Sequence, residues 1–130
     1  MIKTYSYSIK NNYWIEYYEE NILLDLSFNK TPFKEMRLFY IYILTNKRHG
    51  TLYIGITSNL ERRIFEHKNS QIDGFTKKYD LKMLVYFDES DDIAAAIQKE
   101  KQMKKWNRSW KIALIEKHNP QWVDLAKNWF

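Results

Sequence analysis

From Leu38 onward the chain alternates long apolar runs with short polar breaks, and the period of the runs changes along it. LFYIYILT (residues 38–45) and TLYIGIT (51–57) are rich in β-branched and aromatic residues, and the turn-prone NKRHG between them predicts a β-hairpin. LKMLVYFDES, from Leu81 to Ser90, is a third run of strand length, ended by acidic and serine residues. The intervening SNLERRIFEHK has a helical period, with Ser58 and Glu61 spaced as a capping box at its start. Leu60 and Ile64 share one face of that helix, and Arg63 and His67 fall just beside it.

Helical period returns after the third strand. SDDIAAAIQKEKQMKKW carries acids in its first turn and lysines in its last, as the helix dipole favours. Its apolar stripe is Ile93, Ala96, Ile97 and Met103, and Glu100 projects inside that stripe. RSWKIALIEKHNP places Trp110, Ala113 and Leu114 on one face and stops at Asn119, before Pro120. The tail QWVDLAKNWF offers Trp122, Leu125, Ala126 and Trp129 at helical spacing. The order ββαβαα predicts an α/β (α+β) fold in which a small three-stranded antiparallel sheet presents one face to flanking helices.

Residues 1–35 lack sustained periodicity, although EYYEENILLDLSF (16–28) has the pattern of a short amphipathic helix. Thr31-Pro32 disfavours helix, which sets a boundary just beyond it. Two parts are expected: an N-terminal extension, 1–36, and a compact domain, 37–130, that includes the helical tail.

Composition narrows the picture. A chain of 130 residues fits one modest core, and the absence of cysteine removes disulfide frameworks and thiolate zinc sites. No apolar run reaches the roughly 20 residues that span a bilayer, and the first residues lack the apolar centre of a signal peptide, so no membrane and a cytoplasmic location are expected. The net charge of +5 is uneven: residues 1–35 hold four Lys against five acids, leaving 17 basic and 11 acidic residues in the rest. Positive charge of that size favours polyanions, nucleic acid among them.

Three features carry candidate chemistry. Tyr40, Tyr42 and Leu44 share a strand face, and on the next strand Tyr53 shares its face with Gly55, whose missing side chain leaves room nearby. Glu100, a carboxylate within an apolar stripe, requires a cation: Arg63, a lysine such as Lys104, or a metal ion.

The motifs YIY (Tyr40 to Tyr42) and YIG (Tyr53 to Gly55), Arg63 ten residues after Tyr53, and Glu100 together resemble the GIY-YIG nuclease superfamily. LYIGIT, ERRIFEHK, GFTKKY, LVYF, KEKQMKKW and KIALIEKHNP resemble its compact stand-alone bacterial members, akin to the N-terminal catalytic domain of excision-repair incision subunits. The likeness covers about residues 37 to 126; Tyr40 replaces the first motif's glycine, and Lys99 stands where an arginine often precedes the glutamate.

The resemblance implies a metal-dependent endonuclease that hydrolyses phosphodiester bonds, with DNA favoured over RNA and a structure-selective role in repair or recombination. It implies Tyr42, Tyr53, Arg63, His67 and Glu100 as catalytic residues, with Glu100 holding one divalent cation, Mg²⁺ or Mn²⁺. No small-molecule cofactor is implied. Asn46, Gly55, Lys77, Lys78, Lys104 and Asn119 are the expected substrate contacts, although the lysines suit a solvated surface equally. A nucleic-acid-binding module without turnover, and a protein-interaction domain using its tryptophans, are the alternatives.

Overall fold

The computed structural model describes the backbone of residues 6–10 and 13–17 and, with side chains, residues 37–130. Strands β1 (Ser6–Lys10) and β2 (Tyr13–Tyr17) pair antiparallel as a sheet of their own. The expected helix over 16–28 therefore begins in strand β2, and the rest of it lies outside the described residues.

The second sheet holds β3 (Phe39–Thr45), β4 (Leu52–Thr57) and β5 (Met83–Ser90), all antiparallel, with β3 in the centre. Helix α1 (Leu60–Lys68) and a single turn α2 (Phe75–Lys78) join β4 to β5, and α3 (Ile93–Lys105) and α4 (Arg108–His118) follow. The observed order is ββααβαα. Four residues are too few to show a period, so α2 left no helical pattern in the sequence.

Both faces of this sheet are covered, not one. Alternation along β3 sends Phe39, Ile41 and Ile43 to one side, where they pack with Ile54, Ile56, Val85 and, from the helices, Ala96, Met103 and Ile115. Tyr42 and Leu44 point to the other side, with Tyr53, Leu84, Leu60 and Ile64 of α1, and Ala126 of the tail. Both residue sets of β3 are apolar because both face protein.

Local signals differ in two helices. Asn59 caps α1 in place of Ser58, its side-chain oxygen accepting from Arg62 N at 3.1 Å, while its own N–H donates to Thr57 Oγ1. In α4 the buried residues are Lys111 and Ile115; of the face expected from Trp110, Ala113 and Leu114, only Leu114 packs against the core, and Trp110 and Ala113 are exposed. That helix has weak amphipathicity, and tertiary contacts decide its rotation.

The tail is not a helix. Residues 119–130 form turns, and Trp122 adopts a left-handed φ of 55°. A register shift opposite Ile43/Leu44 bulges β5 at Val85, so that Val85 and Tyr86 both join the Phe39–Ile43 side. The buried Asn119 amide donates to Val85 O (3.1 Å) and Val123 O (2.8 Å), and its oxygen accepts from Val123 N (3.0 Å). Asp124 accepts from Leu84 N (3.1 Å), and Leu125 N donates to Leu84 O (2.8 Å), which covers the edge of β5. These polar links replace the periodic apolar face that the tail sequence suggested.

Asn119→Ala strands the buried Val85 carbonyl and removes the side-chain partner of Val123 N and O. It is expected to cost about 2–4 kcal/mol of stability in denaturant titrations, and to speed hydrogen exchange in the tail before the sheet.

Candidate active site

The candidate site lies on the face of the sheet beneath α1. Tyr42, in the central strand, is fully buried and stands directly across from Gly55 in β4. A Cβ built on Gly55 would lie 2.4 Å from Tyr42 Cζ and 2.5 Å from its hydroxyl oxygen. The room left by this glycine is thus filled by the Tyr42 ring, which lies flat enough over the strand to need it.

Helix α1 follows β4 after a two-residue link, so its second turn returns over the same face. It places His67 against both tyrosines, with ring centroids 5.8 Å from Tyr42 and 5.8 Å from Tyr53; the tyrosines are 6.2 Å apart. Tyr42 OH is 3.0 Å from His67 Nε2, and His67 Nδ1 is 3.2 Å from Thr76 Oγ1. Burial, and then the nearby Arg63 charge, push the imidazole pKa down to about 3, so it is neutral at pH 7. A neutral ring has one donor and one acceptor nitrogen, and the phenol is the stronger acid of its two partners. Tyr42 therefore donates to Nε2, and Nδ1–H donates to Thr76.

Thr76 is the functional residue that the sequence reading missed. It is buried in α2, and the only signal for it was chemical: a histidine fixed through one nitrogen needs a partner for the other.

Arg63 lies one turn before His67 on α1 and is 3 % exposed. Its Nη1 is 4.0 Å from Glu66 Oε2, and Glu66 also meets Arg62 Nε at 3.6 Å. A guanidinium buried this deeply keeps its charge, so it supplies a fixed positive potential beside the Tyr42–His67 pair. The structure thus brings Tyr42, Tyr53, Arg63 and His67 together, more deeply buried than the stripe-edge position in the sequence indicated.

Glu100 occupies a different layer. It lies on α3, whose Ala96 and Met103 pack on the opposite side of the sheet, and is 6 % exposed. Of the three cations open to it, Lys104, one turn on, is the one paired with it. Lys111 donates to Lys104 O (3.3 Å), and burial followed by the charges of Arg108 and Lys104 lowers its pKa. Lys99, just before Glu100, pairs with Asp88, an interaction that raises the lysine pKa and lowers that of the acid.

The remaining positions are more dispersed. Asn46 sits in the β3–β4 turn, where its side chain accepts from Thr51 N (3.1 Å). Lys77 pairs with Asp73 on α2, and the Lys78 ammonium lies 5.4 Å from the Tyr79 ring centroid. Asn119, with both amide hydrogens donated to carbonyls, serves the tail and has no donor left for a phosphate.

A tyrosine pair, an arginine and a histidine thus converge under the first crossover helix of a three-stranded antiparallel sheet. The chain belongs to the GIY-YIG family: the GIY-YIG catalytic domain matches residues 38–113. It is similar to the UPF0213 protein of Syntrophus aciditrophicus, 36% identical over 63% of this chain and 93% of that one. The UPF0213 protein of Pediococcus pentosaceus is 36% identical over 67% of this chain and 90% of its own length. The UPF0213 protein of Natronomonas pharaonis is 34% identical over 58% of this chain and 88% of its own length. The solution NMR structure of the Bacillus halodurans UPF0213 protein aligns with 70% of this chain and 96% of that one, at 25% identity and a TM-score of 0.46. Among the described residues no helix is long and apolar enough to cross a membrane.

Two variants test the geometry. In the folded chain His67 resists protonation until about pH 3, whereas the unfolded chain takes up that proton near 6.5. Stability is therefore unaffected by this group above pH 6.5 and is lost as pH falls below it, by up to about 1.4 kcal/mol per unit. His67→Gln is expected to remove that slope between pH 6 and 4 in urea titrations; parallel curves for the two proteins contradict the assignment. Gly55→Ala is expected to cost about 2 kcal/mol by driving the new methyl into the Tyr42 ring, with a change in near-ultraviolet circular dichroism.

Proposed function

We propose that this protein is a metal-dependent endonuclease that hydrolyses phosphodiester bonds, with DNA as its substrate and selectivity for nucleic-acid structure rather than sequence. The observation that supports it most is the buried chain Tyr42–His67–Thr76 beside Arg63 and Tyr53. A binding module needs basic surface, not a phenol aimed at a neutral imidazole.

Tyr42 is the base in this reading. Its proton is directed into His67 Nε2, and its oxygen would accept from an attacking water once substrate is bound. A phosphate bound at Arg63 offsets the charge that helps hold His67 neutral, so substrate makes the acceptor more basic. Arg63 offers its planar donors to the phosphate and stabilises the negative charge that grows on it. Tyr53 hydrogen-bonds the water or a phosphate oxygen from β4.

Glu100 fits a divalent cation. Its buried carboxylate already accommodates a positive group, the Lys104 ammonium. One carboxylate, with water and phosphate oxygens completing the shell, suits Mg²⁺ or Mn²⁺. Such an ion supplies Lewis-acid stabilisation of the phosphate and a more acidic bound water. Glu100 would hold it, and the partly exposed Lys104 would turn to the phosphate backbone, alongside Asn46 and the α2 lysines Lys77 and Lys78; Gly55, covered by the Tyr42 ring, has no room for that contact.

A second reading, nucleic-acid binding without turnover, draws on the same Glu100–Lys104 pair, which leaves the carboxylate neutralised without a metal. The two separate in one assay: duplex, single-stranded, flapped and branched DNA and RNA with Mg²⁺, Mn²⁺ or chelator. Metal-dependent cleavage is expected, with Tyr42→Phe and Arg63→Ala each slower by about 10²–10³-fold and Glu100→Ala inactive. Salt-sensitive binding with no cleavage supports the second reading, and equal cleavage by the variants removes the first.

A further inference from the structure

A cavity of about 570 Å³ opens beside the Tyr42 face, lined by Tyr40, Phe87 and Trp129, by Glu61 and Glu89, and by the start of α1. Its floor continues the sheet surface that carries Tyr42. Tyr40 pairs across the strands with Glu89, and Tyr42 with Phe87, so these four positions form one block on a single face. Tyr40 lies two residues from Tyr42 on the same strand, about 7 Å away. The aromatic walls touch edge to face: Tyr40–Phe87 centroids are 6.5 Å apart and Phe87–Trp129 centroids 6.3 Å.

We propose that this cavity receives one unpaired guanine base of a nucleic acid, next to the phosphodiester held at Tyr42 and Arg63. This rests on the endonuclease reading for its position, but not for its chemistry. Its volume falls in the range of small-molecule sites, ample for a base and larger than one side chain fills. Three aromatic rings give a stacking surface of the kind that binds unpaired bases, whose faces are free only outside a duplex. Among the described residues neither Glu61 nor Glu89 makes an ion pair, so both carboxylates have acceptor oxygens to offer. A carboxylate accepts a matched pair of hydrogen bonds from two adjacent donors, and the Watson–Crick edge of guanine supplies them as N1–H and N2–H. The same carboxylates repel phosphate, which directs the backbone away from the cavity and toward Arg63. An unpaired base here makes a flap, bulge or single strand the preferred substrate.

The test uses the full chain in chelator, with fluorescent single-stranded pentamers: all thymine, thymine with a central guanine, and thymine with a central hypoxanthine, which lacks the 2-amino group. The guanine pentamer is expected to bind about 10-fold more tightly than the all-thymine one, with hypoxanthine between them. Glu89→Gln and Glu61→Gln, both exposed and isosteric, are expected to reduce that preference. Trp129→Ala is expected to weaken the guanine complex about 10-fold and Trp129→Phe less, which separates lost stacking from a disturbed tail. Equal affinity for the three pentamers, or a preference untouched by the Glu89 and Trp129 variants, overturns the proposal. Saturation of the cavity by an arginine-rich peptide, sensitive to Trp129 where guanine is not, overturns it in favour of a protein ligand. Cleavage is measured separately with Mn²⁺: activity without guanine preference removes only the pocket, and guanine preference without activity removes only the nuclease reading.

Discussion

The hydrogen bond between Tyr42 and His67 is the constraint on which the candidate site depends. It joins the central strand to the first crossover helix inside the protein, between two buried side chains. To make it, the Tyr42 ring must lie across the neighbouring strand, and that is possible only because Gly55 stands there. To keep His67 an acceptor, the ring must stay neutral, which burial and the Arg63 charge ensure. Its orientation requires Thr76, and hence the single turn α2. A glycine, an arginine and a one-turn helix are thus explained by one bond.

The other side of the sheet solves a different problem. Its core is aliphatic and gives α3 a firm seat, and that helix carries Glu100 with its charge met by Lys104. The candidate site residues therefore come from elements that pack on the two faces of the sheet. The bulge at Val85 and the Asn119 clamp fix β5 and the tail against this frame.

Much of this was legible in the sequence because it was periodic. The three strands, the three longer helices, and the positions of Tyr42, Tyr53, Arg63, His67 and Glu100 followed from alternation, helical spacing and two short motifs. What was not legible was set by tertiary hydrogen bonds. Asn59, not Ser58, caps α1 because the turn from Thr57 presents it to Arg62 N. The tail has helical spacing of apolar residues, yet Asn119 and Asp124 bind it to β5 as turns. Trp110 matches a core pattern and lies outside, because the rotation of α4 is chosen by Ile115 and Lys111. Thr76 had no pattern to betray it.

The direct test of this account is the protonation of His67, read from imidazole nitrogen shifts in the intact protein across pH 8 to 4. The account requires a neutral ring throughout, protonated at Nδ1 and bare at Nε2, with the change confined to the region near pH 3. A ring that takes up a second proton near pH 6.5, or that carries its hydrogen at Nε2, would contradict it.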